Sequence, residues 1–186
     1  MQADSAANED NFYGLYTALR PLSEQVLDTF LLVRNNVKDV TGERPGERGV
    51  LKEYTAGNRF KGKYKNLDYG IEWAFQFGSR TQDKIHAFVW HNEFGYTLAG
   101  IPWKPRADFE FNHGSGDDNT TDGVFKNFDN LYPSNHSNYG FMDLASLRNM
   151  NNFKIGLEAK PHPKLKLISD YHILARKWIF WPNGRS

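Results

Sequence analysis

The chain contains no cysteine, which rules out a disulfide framework and every cysteine-based metal site and fits an oxidising compartment. It also has almost no net charge: 23 Lys and Arg stand against 22 Asp and Glu, leaving +1. No global field therefore directs it to nucleic acid or to an acidic partner. No apolar run approaches the ~20 residues of a membrane-spanning helix. The first residues, MQADSAANED, have neither a basic n-region nor an apolar h-region, so no signal peptide is visible. That leaves a cytoplasmic protein or a piece of a longer precursor. A phosphate-binding glycine loop and nucleic-acid signatures are missing too.

Aromatic residues, in contrast, are abundant. Phe, Trp and Tyr make up 15% of the sequence, yet the mean hydropathy is only −0.67. Large apolar groups must then be interleaved with polar ones, as in a sheet with one apolar and one wet face. Tyr69, Ile71, Trp73, Phe75 and Phe77 alternate with Gly70, Glu72, Ala74, Gln76 and Gly78. A helix would scatter those five bulky groups around its surface, whereas a strand puts them in one row. The same reading predicts strands over Asn11–Arg20, Val26–Asn36, Val50–Tyr64, Lys84–Gly100, Arg106–His113, Phe153–Lys160 and Leu165–Ile173. The faces of Val26–Asn36 cannot be assigned, because its middle is apolar on both sides. Val37–Gly49 reads as a charged loop, Ser79–Asp83 as a polar turn and 114–150 as one long loop. The remaining connections are short turns. The expected fold is all-β, an antiparallel up-and-down meander of about eight strands filling residues 1–186 as a single barrel segment.

Periodicity does not say which face is inside. A soluble barrel puts its apolar row inward and binds a small ligand there. A membrane barrel turns that row to lipid and keeps a polar lumen. Several strands exceed the usual five or six residues and approach the nine to eleven that cross a bilayer at a tilt. Short turns also alternate with longer connections, as at the two rims of a membrane barrel. Both features favour the membrane version.

The long loop is the most distinctive stretch. Loops of this length inside a compact domain are usually functional or disordered, and this one carries Phe125, Phe128, Leu131, Tyr132, Tyr139, Phe141 and Met142. FDNLYPSNHSNYGFMD (Phe128–Asp143), continuing as LASLRNMNNFKIGLEAKPHPKLKLISDYH (Leu144–His172), resembles the alginate export family of outer-membrane β-barrel porins. DNFYGLYTALRP, LDYGIEWAFQFGS and YTLAGIPWKPRADFEFNHGSGD belong to the same resemblance, which extends from Asp10 to about His172. It matches the C-terminal part of a larger barrel, as a fragment, and WIFWPNGRS stands where the family pattern has an aromatic terminal strand. The resemblance implies a passive channel, with no enzyme activity and no cofactor, in the outer membrane of a Gram-negative bacterium. Its implied cargo is a solute or an anionic polysaccharide such as alginate. Its implied partners are the lipid bilayer, lipopolysaccharide and periplasmic secretion proteins.

In such a barrel the polar parity would line the pore: Arg59, Lys61, Lys63, Glu72, His91, Glu93, Arg106, Asp108, Glu110, Lys154, Glu158, Lys166, Asp170 and His172. Basic members can guide a polyanion, arginine binding carboxylates through two parallel bonds. The competing reading is that neighbouring acids and bases only pair across strands. Arg59, Lys61 and Lys63 are the strongest transport candidates. In the loop, Asp129, Tyr132, His136 and Tyr139 are candidates for a gate at the pore mouth. Asp129, His136 and Asp143 fit no metal spacing and no nucleophile–base set. GDDNTTD (116–122) lacks the EF-hand pattern. No metal site is expected.

Overall fold

Rows of bulky side chains spaced two residues apart are satisfied only by extended backbone, and the chain is extended almost throughout. The computed structural model describes residues 10–130 and 148–176. Its strands are β1 (Asp10–Leu19), β2 (Gln25–Thr41), β3 (Arg48–Tyr64), β4 (Leu67–Arg80), β5 (Asp83–Thr97), β6 (Arg106–Gly114), β7 (Val124–Phe125), β8 (Met150–His162) and β9 (Leu165–Arg176). The long strands form one sheet in the order β1-β2-β3-β4-β5-β6-β8-β9, each antiparallel to the next. The meander read from the sequence is therefore the observed topology.

Four details correct that reading. The stretch Val37–Gly49 is not a loop throughout: β2 runs on to Thr41 and β3 begins at Arg48. A register shift between Asn36 and Val40 absorbs the irregularity, and the Lys38 N–H donates to Asn36 Oδ1 at 2.9 Å. Polarity hid this extension, although polar residues pair as well as apolar ones where a strand runs beyond an apolar layer. The turn at Ser79–Asp83 shrinks to Thr81 and Gln82, because Arg80 pairs with Asp83 and Thr81 takes the left-handed φ of 57°. On the opposite rim, Leu98–Pro105 is longer than that turn, so the long loop alone carries the rim asymmetry. That loop is also not strandless: β7 lies parallel to β5, with Lys84 opposite Val124.

Burial settles the question of faces. Phe75 is 50% exposed and Trp90 42%, while Ala74, Gln76 and Val89 beside them are buried. Phe77, Phe88, Phe94, Tyr96, Phe109, Phe153, Ile155 and Leu157 are likewise exposed. Asp28, Glu53, Thr55, Gln76, Glu110, Asn112 and Asn152 are buried. A soluble barrel shows the reverse. Polar side chains crowd together on one side, as on the concave face of a curled sheet, and aromatic rings stand outward, as in the wall of a transmembrane barrel. Across the outer face, Tyr54 stacks on its register partner Phe77 at 5.4 Å and Phe75 meets Phe88 at 6.2 Å. Such cross-strand ring pairs stiffen the wall. Among the described residues β1 and β9 each pair with one neighbour only. A bilayer does not tolerate unpaired edges, so in a membrane both edge strands need a further partner.

A charge on the outer face should be costly. Phe75→Arg is expected to destabilise the fold in lipid vesicles by about 2–4 kcal/mol, read from urea titrations followed by tryptophan fluorescence. An unchanged midpoint would remove this face from lipid.

Candidate functional site

The antiparallel register carries the polar parity of each strand onto its neighbours, so polar residues far apart in sequence form rows. One row runs Asp28, Arg59, Glu72, His91, Asn112, Asn152. The next runs Lys61, Gly70, Glu93, Glu110, Lys154, His172, and a third Lys63, Asp68, Gly95, Asp108, Gly156, Asp170. Arg106 and Glu158 pair one step further on. Lys166 lies two residues from Ile168, the register partner of Glu158, and so shares that face. Every pore-lining candidate therefore stands on the inner, polar face.

Most of the charge there is neutralised locally. Arg59 grips Asp28 through Nε at 2.9 Å and Nη2 at 2.7 Å. Arg106 reaches Asp68 at 3.0 and 2.5 Å, Asp108 at 2.7 Å and Glu93 at 3.3 Å. Its guanidinium lies directly over Gly95, where any Cβ would collide with it. Lys154 bonds Glu110 at 2.6 Å and stands 3.6 Å from Asp108, and Lys166 bonds Glu158 at 2.7 Å. His91 Nδ1 lies 2.5 Å from Asn112 Oδ1. Among the described residues, Lys61, Lys63 and Asp170 take part in no ion pair. The basic trio thus splits: Arg59 is tied to a buried acid, while Lys61 and Lys63 are exposed and act on Asp28 and Asp68 only from a distance.

The long loop folds onto the same face. Phe128 is buried against Ala74, Ala87 and Val89, with the Phe30 ring alongside. Small residues make the room. Phe30, Gly57, Ala74 and Val89 share one row, and a Cβ on Gly57 would come within 2.5 Å of the Phe30 ring and 2.6 Å of the Trp73 carbonyl. One step away, the Gln76 side chain clasps the loop backbone. Gln76 Nε2 donates to the Asp129 carbonyl and the Asp129 N–H donates to Gln76 Oε1, both at 2.7 Å. The Asp129 carboxylate accepts from Arg34 Nη1 at 3.0 Å and lies 3.8 Å from Arg148 Nη2. Ser115 anchors the root of the loop, its hydroxyl accepting from the Phe88 N–H at 2.9 Å and donating to the Lys126 carbonyl at 2.7 Å.

Of the gate candidates, Asp129 is placed by these contacts; Tyr132, His136 and Tyr139 lie outside the described residues, as does Asp143. The sequence reading missed Arg34, Phe30, Gln76 and Arg148. Arg34 and Phe30 sit in β2, whose faces were unassigned. Pairing Asp28 with Arg59 would have fixed them, since Phe30 and Arg34 share the parity of Asp28.

At the loop rim three carboxylates meet. Asp83 Oδ2 accepts from the Glu43 N–H at 2.7 Å, and Glu43 Oε2 accepts from the Gly123 N–H at 3.0 Å. Asp117 accepts from the amides of Asn119 and Lys126 at 3.1 and 3.0 Å. Burial pushes the Glu43 carboxyl up, the facing Asp117 carboxyl adds to the push, and the Gly123 amide opposes it, leaving Glu43 at about 7. Asp122 and Asp118 are engaged with Lys126 at 2.8 and 3.5 Å.

A family model described as alginate export matches residues 1–179. No curated protein and no solved structure matches the chain.

The rim should loosen as pH rises. Protonated Glu43 fits the folded rim better than ionised Glu43, so its contribution is whole below the ordinary 4.5 and is lost as pH climbs through about 7. Hydrogen-exchange protection of the Gly123 amide is expected to fall across that window, and Glu43→Gln should flatten the profile. An identical slope in both proteins would assign the effect to another group.

Proposed function

We propose that this chain, which belongs to the alginate export family, forms the wall of an outer-membrane channel through which an acidic polysaccharide leaves the cell by passive diffusion. The observation that carries this reading is the reversed sheet: exposed aromatic rows outside, and a face of buried acids and amides with partly buried bases among them inside. Such a wall offers lipid on one side and a wet, charged path on the other. The long loop belongs to the rim that faces outward, since membrane barrels keep their longer loops on the extracellular side. There the aromatic face meets lipopolysaccharide, and the opposite rim meets periplasmic secretion proteins.

Transport through such a path needs no covalent step. Each sugar carboxylate is drawn to a cation and released to the next, which requires sites attractive enough to admit the polymer and weak enough to let it move. Lys61 and Lys63 suit this role, being exposed and held by no close ion pair among the described residues. Arg59, Arg106 and Lys154 are held by neighbouring acids and serve the wall, because removing one partner of a crowded ion pair strands the other.

These roles predict a division of phenotype. The double substitution Lys61→Gln and Lys63→Gln should lower the anion-over-cation permeability ratio in planar bilayers by a factor of about two to five, the two lysines together offering ~0.5–1 kcal/mol of exposed attraction. Arg106→Gln should instead reduce the yield of folded protein. Unchanged selectivity in the lysine double variant would turn those residues into ordinary surface charge.

A further inference from the structure

Arg34 is built as a carboxylate receptor. Its Nε and Nη2 edge holds Asp10 at 3.1 and 2.8 Å, which fixes the plane of the guanidinium. That leaves Nη1 directed at the loop, where it meets the Asp129 carboxylate at 3.0 Å. Arg148 stands on the far side of the same carboxylate. None of these groups is sealed off: the side chains of Arg34, Asp129 and Arg148 are 24%, 22% and 52% exposed. Asp129 therefore presents to the arginines the group that each sugar of a polyuronate would present.

We propose that Arg34 and Arg148 form a carboxylate subsite which the chain's own Asp129 fills, as a tethered competitor that an incoming polyuronate displaces. The proposal rests on the export reading for its ligand. Displacement acts on the loop because Asp129 is also the residue whose backbone Gln76 clasps. Once its carboxylate loses Arg34, the stretch about Asp129 keeps the Gln76 clasp, Phe128 and Arg148, and Ser115 and β7 still hold the root of the loop. A tethered group has an effective concentration in the millimolar range, so a single uronate competes poorly. A polymer carrying a carboxylate on every ring competes well, because a neighbouring ring rebinds before the first escapes. The contact would thus stay shut to small acids and yield to the polymer.

The test uses the full chain folded in lipid nanodiscs, with a mannuronate hexamer as probe and a neutral maltohexaose as control. Binding is measured by calorimetry, and release of the loop by the rate of tryptic cleavage after Lys126. Asp129→Asn keeps both backbone bonds to Gln76 and removes only the charge. It should bind the uronate hexamer about tenfold more tightly than wild type and leave maltohexaose unaffected. In wild type the uronate hexamer should speed cleavage and monomeric glucuronate at equal carboxylate concentration should not. Arg34→Gln should weaken uronate binding in either background. Gln76→Ala, which leaves every charge in place, should speed cleavage without ligand. Equal uronate affinity in wild type and Asp129→Asn would overturn the subsite and leave export standing. Absence of uronate binding by both proteins would overturn the two together.

Discussion

A peptide group in hydrocarbon has no water to turn to, and an unbonded one costs several kcal/mol. Everything else in this chain depends on that demand. It requires strands long enough to keep their ladders intact across the apolar layer, which β2 and β3 exceed at 17 residues each. It also requires a paired neighbour along each strand, and each long strand has its sequence neighbour beside it, with the register shifting only near the strand ends at Asn36–Val40 and Ala159–His162. With the backbone so committed, side chains have two directions only, and the lipid claims one of them. Acids, bases and amides are then driven together on the other.

Crowding is what gives the inner face its character. Arg106 against three carboxylates, and Lys154 between Glu110 and Asp108, form a lattice of two cations among four acids, with Asp68 and Glu93 at its wetter edge. Such pairs need not add much stability, but the loss of one member leaves the other exposed to the full cost of burial. Lys61 and Lys63 stand outside this lattice, and under the proposed export they are the cations a mobile anion would meet. On that proposal the polar face separates into groups that hold the wall and groups that face the path. The loop enters at the boundary, where Gly57 and Ala74 leave space for the Phe30 and Phe128 rings.

Much of this was legible before any coordinates. The row Tyr69 to Phe77 announced its strand because five bulky groups cannot share one side of a helix, and the parity of Arg59, Glu72, His91 and Glu110 survived into a common face. The direction of that face was not legible, since alternation is the same for a soluble and a membrane barrel; burial of Gln76 beside exposed Phe75 decided it. β2 stayed ambiguous because Leu31 and Leu32 are apolar on opposite sides, one on the outer face and one on the inner. Val37–Gly49 was misread because polarity marks solvent and not the end of pairing. Partnerships such as Gln76 with Asp129 span 53 residues, and no local pattern records them.

The Gln76 clasp has one consequence for how such a protein can change. Glutamine here grips an amide and a carbonyl, groups that every residue but proline supplies, so the docking is blind to the identity of the side chain at position 129. Attachment and chemical preference are thus written in different residues. Mutation could replace the aspartate with an amide, a hydroxyl or a base and still inherit a seated loop. Drift could then explore new cargo without first solving again the problem of where the loop should lie.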